Sequence, residues 1–101
     1  MTTTAERLRE VRLKIDSALD VARGDQGASP VLVAVVSEFA KKAEKAATED
    51  DEQGAVIELE QAGDSAKVAA EADAGASEAT RQAVLDAHLA ICITKAKLSP
   101  V

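Results

Sequence analysis

SPVLVAVVSEFAKKAEKAATEDDE, residues 29–52, is the stretch on which the fold turns. Ser29 is a strong N-cap and Pro30 suits the first helical position. Val31, Leu32, Val35, Val36, Phe39, Ala43, Ala46 and Ala47 follow at helical spacing, so the segment reads as an amphipathic helix. Lys41, Lys42 and Lys45 gather near its C-terminus, where they complement the helix dipole. Glu49, Asp50, Asp51 and Glu52 then form a run of acid that suits the first turn of a new helix. No Pro or Gly enforces a break before Gly54. A single helix from Pro30 to about Asp73 is therefore the competing reading.

Upstream, Thr3 and Glu6 make a Thr-x-x-Glu capping box. Leu8, Val11, Ile15, Ala18, Leu19 and Ala22 form one apolar stripe, and Gly24, Asp25 and Gly27 end it in a loop. Downstream, the inward face of a third helix is Ala55, Val56, Leu59, Ala62, Gly63, Ala66, Ala69 and Ala70, and Gly75 stops it. Nearly all are small, so a neighbouring backbone can come close. Ser77 caps a fourth helix that runs to about Lys97, with Pro100 beyond. The expected helices are about 4–23, 30–48, 51–74 and 77–97, each about 30 Å long at ~1.5 Å per residue. Similar lengths and short loops predict an all-α, antiparallel up-down four-helix bundle as a single domain over 1–101. No strand pattern, internal repeat or low-complexity tail is read from the sequence.

Composition bounds what this bundle can do. Of 101 residues, 22 are Ala, Phe39 is the sole aromatic, and Trp and Tyr are absent. Alanine buries little area, so the core is Ala-rich and its driving force modest. Tight helix approach or self-association is the expected compensation. The net charge of −6 argues against nucleic acid, which needs a basic face. The longest apolar run, Val31–Val36, is too short for a bilayer. No signal peptide is visible, and the single Cys92 cannot pair internally, so a cytoplasmic, reducing setting is expected.

The charge is segregated. Residues 48–78 hold ten carboxylates and one base, Lys67; the rest holds eight carboxylates against eleven Lys and Arg. The acid either meets Lys41, Lys42 and Lys45 or faces a partner. On the third helix Ile57 and Val68 fall about 20° apart at ~100° per residue, with Glu58, Glu60 and Asp64 nearby. These five residues are the candidate partner surface. Leu13, Val21, Val33 and Ile93 also fall on outward sides of their helices, which favours self-association or docking.

His88 is the only histidine. It lies in the apolar arc of the last helix, between Val84 and Ile91 on one side and Leu85, Leu89 and Cys92 on the other. Arg81 and Lys95, seven residues before and after, complete a basic row. The bland reading is snorkelling stems and one hydrogen bond for the imidazole. The sharper one is an anion-binding row. A mid-helix His in a small bundle resembles the histidine phosphotransfer domains in architecture only, because that family places Lys and Gly just after the His. Here Leu89, Ala90, Ile91, Cys92 and Ile93 follow. Arg12-Leu-Lys-Ile15-Asp16 resembles the opening of the all-helical chorismate mutases over about ten residues. That resemblance would put Arg12, Arg23, Arg81 and Lys95 around a dicarboxylate, but no matching motif follows in the later helices.

No catalytic motif, metal-ligand spacing or phosphate loop is present, and no cofactor is implied. The expected function is a non-enzymatic interaction or regulatory module. Its partner would be another protein or a second copy, met through the acidic helix. A small helical enzyme or phosphotransfer protein centred on His88, Arg81 and Lys95 is the alternative.

Overall fold

Four polar side chains start the four helices. In the computed structural model, which describes residues 3–98, Thr3 Oγ1 accepts from the Glu6 amide and donates to the Glu6 carboxylate, so the N-cap forms and the Glu6 side chain meets the capping hydroxyl. Ser29 Oγ accepts from the Leu32 amide at 3.2 Å, with Pro30 in the first turn. Asp51 Oδ1 accepts from Gly54 and Ser77 Oγ from Thr80. Each cap satisfies an amide that the helix itself leaves without a partner. The helices are α1 Thr4–Gly24, α2 Pro30–Ala46, α3 Glu52–Ala72 and α4 Glu78–Leu98. Pro100 lies outside the described residues.

The chain breaks at 47–51, and the single long helix is not formed. The buried stripe of α2 is Leu32, Val36, Phe39, Ala43 and Ala46; that of α3 is Ala55, Val56, Leu59, Gly63, Ala66 and Ala70. Continued as one helix at ~100° per residue, these stripes point roughly 170° apart. A straight helix would bury one stripe and expose the other. A reversal between them buries both, and α2 and α3 lie against each other.

The result is an all-α four-helix bundle, in which α1 and α3 each pack against both α2 and α4. Phe39 fills its centre and is fully sealed. Gly63 on α3 makes that position possible, because a Cβ there would stand 3.0 Å from Phe39 Cζ and 3.3 Å from Ile91 Cγ2. Ile15, Leu32, Val36, Val56, Leu59, Val84 and Ile91 share one buried core with it, together with many alanines. Two buried threonines had no signal in the apolar pattern. Thr94 Oγ1 donates to the Ala90 carbonyl at 2.9 Å, and Thr80 Oγ1 to Asp25 Oδ2 at 2.6 Å.

Some expectations about faces are corrected. Val31 and Leu89, placed in apolar stripes, are 68% and 57% exposed. Val33, placed outward, packs against the core, and Val21 is half-buried. In both cases the neighbouring helices cover a narrower and rotated arc than the sequence stripe suggests.

The largest correction concerns repetition. α1 and α3 are both 21 residues long and start 48 residues apart, at Thr4 and Glu52. α2 and α4 also start 48 apart, at Pro30 and Glu78. Burial repeats at the same offset: Leu8 and Val56, Val11 and Leu59, Ala18 and Ala66, Ala22 and Ala70, Val36 and Val84 are all buried. The connecting loops share four of five residues, Asp25-Gln-Gly-Ala-Ser29 and Asp73-Ala-Gly-Ala-Ser77. In space they cross-link reciprocally. Asp25 Oδ2 accepts from the Ser77 amide at 2.7 Å, and Asp73 Oδ2 accepts from the Ser29 amide at 2.8 Å. Each carboxylate's Oδ1 also takes its own loop glycine, Gly27 or Gly75. The two glycines pass so closely that a side chain on either would run into the other's carbonyl. The molecule is two helical hairpins related by an approximate two-fold axis.

Candidate functional site

Part of the acidic face of α3 and part of the basic row of α4 meet across the α3–α4 seam. Cap and stripe set the rotation of each helix, leaving the edges of α3 and α4 that flank their buried faces side by side. Glu60 and Asp64 project from one wall, His88, Cys92 and Lys95 from the other. Lys95 Nζ donates to Glu60 Oε1 at 2.8 Å, and His88 Nε2 meets Asp64 Oδ1 at 2.6 Å. The two candidate surfaces read separately from the sequence thus face and partly neutralise each other.

Two of the named residues belong elsewhere. Glu58 turns toward α2 and pairs with Lys45 at 3.7 Å. Arg81 pairs with Glu78 at 3.5 Å and donates from Nη1 to the Asp73 carbonyl at 3.3 Å. It ties the α3–α4 turn to α4. The basic row is therefore split among separate partners, Glu78 and the Asp73 carbonyl for Arg81, Asp64 for His88 and Glu60 for Lys95. Arg12 pairs with Asp16 and lines an α1–α2 groove with Arg9, Glu49 and Glu52, away from the His88 groove.

The His88 side chain is only 16% exposed, while its Asp64 partner is 61% exposed. The carboxylate accepts the Nε2–H of the ring. Cys92 Sγ is 3.9 Å from Nδ1 and 3.6 Å from Nε2. Burial, followed by the negative charges of Glu60 and Asp64, pushes the Cys92 thiol up from its ordinary value. The arrangement keeps the sulfur as a thiol, the opposite of what an activated nucleophile needs. The hydrogen bond from Lys95 to Glu60, then the attraction between their charges, raises the Lys95 ammonium.

Ile57 and Val68 flank these pairs on the same edge of α3, 47% and 63% exposed. A shallow groove of about 160 Å³ runs beside Ile57, lined by Gln53, Val56, Lys95 and Leu98. Between α1 and α4 a second groove of about 250 Å³ holds the exposed Leu89 and Ile93 among Arg7, Glu10, Lys14 and Asp86. Both open to solvent. Among the described residues, no group of three or more His, Cys, Asp or Glu side chains could hold a metal ion. No helix among them is long and apolar enough to cross a membrane.

The sequence reading missed the loop cross-links, and their signal was present as the repeated Asp-x-Gly-Ala-Ser. Asp25 is held at about 2, below the ordinary 3.8, first by the Ser77 amide and then by the Thr80 hydroxyl. Asp73 is lowered chiefly by the Ser29 amide. No family model matches this chain, and no curated protein or solved structure matches it either.

Proposed function

We infer that this chain is a non-enzymatic protein-interaction module that presents the α3 edge of its α3–α4 face. The observation that carries this reading is Ile57 and Val68, two exposed apolar residues that bracket the carboxylates of Glu60 and Asp64. Exposed apolar side chains supply the area that a docking patch buries, and the charges beside them steer the partner. Residues 48–78 supply the acid that draws a basic partner and speeds its encounter. A second copy of the chain is the other candidate for this face. Half-buried Cys92 has no internal disulfide partner, which suits a reducing, cytoplasmic setting.

A small enzyme or phosphotransfer protein centred on His88 ranks below this. Its imidazole is largely covered, its Nε2 is engaged by Asp64, and the raised Cys92 thiol offers no nucleophile.

The test is affinity capture from the native source, followed by titration of the purified partner. Ile57→Asp with Val68→Asp should weaken binding at least tenfold, Glu60→Lys with Asp64→Lys should slow association, and His88→Ala should retain affinity. Equal binding by the Ile57/Val68 variant would refute this assignment of the surface.

A further inference from the structure

The two-fold repeat leaves each hairpin with one buried face that fits the other hairpin. That fit is not symmetric. Phe39 of the first hairpin lies over Gly63 of the second. The residues at the same offset of 48 are Ala87 on the second hairpin and Ile15 on the first, both fully buried. At these two related pairs of positions the bulk lies entirely on the first hairpin. Two first hairpins facing each other would force Phe39 against Ile15. Two second hairpins would leave a void between Ala87 and Gly63. Overpacking and cavities both disfavour these pairings, so each hairpin selects its unlike partner.

Nothing in that selection requires the partner to be in the same chain. The reciprocal bonds Asp25–Ser77 and Asp73–Ser29 join loops at the end of the bundle opposite the 47–51 connection. That connection is exposed at all five residues. Its hydrogen bonds are local, from the Thr48 and Glu49 amides to Lys45 and Ala46 and from Gly54 to Asp51. It strings Glu49, Asp50 and Asp51 together before Glu52, and Arg9 and Arg12 of α1 line the same groove as Glu49 and Glu52.

We propose that the interaction partner fitting the inter-hairpin face is a second copy of this chain, which exchanges hairpins about residues 47–51 to form a dimer. Each bundle of the dimer contains the first hairpin of one copy and the second of the other. Every inter-hairpin contact and both loop cross-links are remade; only the connection changes conformation. Domain exchange of this kind is a low-cost route to dimers, because the new interface already exists within the monomer. This inference rests on the repeat and not on the acidic α3 edge. The Ile57, Glu60, Asp64 and Val68 variants leave it untouched, so the two readings fail separately.

The test uses complementary defects in the full chain. Phe39→Ala leaves a void against Gly63; Gly63→Phe overfills the space beside Phe39. In an exchanged heterodimer one bundle carries both substitutions facing each other, and the other carries neither and keeps the native Phe39–Gly63 contact. The two variants are unfolded together, refolded at high concentration, and examined by native mass spectrometry and thermal melting. A 1:1 heterodimer melting above either variant alone is the expected result. A mixture that only superposes the two separate melts overturns the proposal. Wild-type chain provides a second reading that does not depend on how the variants fold. Isotope-labelled and unlabelled protein, mixed, pulsed to pH 2 and neutralised at high concentration, should yield mixed-label dimers. Monomer alone at every concentration overturns the proposal as well.

Discussion

Gly63→Ala tests the central packing argument, because two effects of opposite sign meet at one methyl group. Gly63 sits inside α3, far from either end. There a glycine costs about 1 kcal/mol relative to alanine, so helix propensity alone predicts a gain of that size. Packing predicts a loss. The new Cβ would stand 3.0 Å from Phe39 Cζ and 3.3 Å from both Phe39 Cε1 and Ile91 Cγ2. Phe39 and Ile91 are fully buried, so neither can swing into solvent. Overpacking a sealed core costs roughly 1–3 kcal/mol. The balance is a net destabilisation of up to about 2 kcal/mol, measurable by urea unfolding at constant slope. The decisive measurement is the double-mutant cycle with Phe39→Leu, which removes the ring atoms that the methyl meets. In that background Gly63→Ala keeps only the Ile91 contact and should become neutral to stabilising, by up to about 1 kcal/mol, so the coupling is large. A single Gly63→Ala variant that gains the full propensity increment, with no coupling to Phe39→Leu, would refute the claim that the glycine exists to seat the ring.

Four further outcomes concern the loops, the buried threonines and Cys92. Asp25 and Asp73 have depressed folded-state values, so their contribution is present above the unfolded carboxylate value and is lost on acidification. Melting temperature should therefore fall between pH 4 and pH 2, and Asp25→Asn should flatten that fall. Thr80→Val removes a fully buried hydroxyl that donates to Asp25 and should cost about 1–2 kcal/mol by chemical denaturation. Thr94→Val loses only a bond to a carbonyl of its own helix and should stay within about 0.5 kcal/mol. Because burial and the Glu60 and Asp64 charges raise its thiol, Cys92 should alkylate several-fold more slowly at pH 8 than a free cysteine. Urea should abolish the difference.

Helix class and helix starts were legible in the sequence because they are local. Thr3, Ser29 and Ser77 stand one residue before a periodic segment, and a cap needs only its own first turn, whereas the capping role of Asp51 was hidden in a run of acids. The stripes from Leu8 to Ala22 and from Leu32 to Ala46 likewise announce amphipathic helices before any neighbour is known. The break at 47–51 was legible only as a run of acid. Its cause, two stripes pointing opposite ways, emerges once a common neighbour must bury both. The site was legible as two lists, Ile57 to Val68 and Arg81 to Lys95, but not as one groove.

Spacing along the chain set Glu60 and Asp64 near Ile57 and Val68 on α3, and His88 and Lys95 in one row along the apolar arc of α4. It could not determine that the two sets face each other, because that depends on which helices become neighbours and at what register. The same holds for Asp25 and Asp73, whose loops are distant in sequence yet exchange amide hydrogen bonds. Backbone periodicity is a property of a few consecutive residues and survives in isolation. Charge pairing, the seating of Phe39 on Gly63 and the two-fold relation of the hairpins exist only between segments, so tertiary packing alone could decide them.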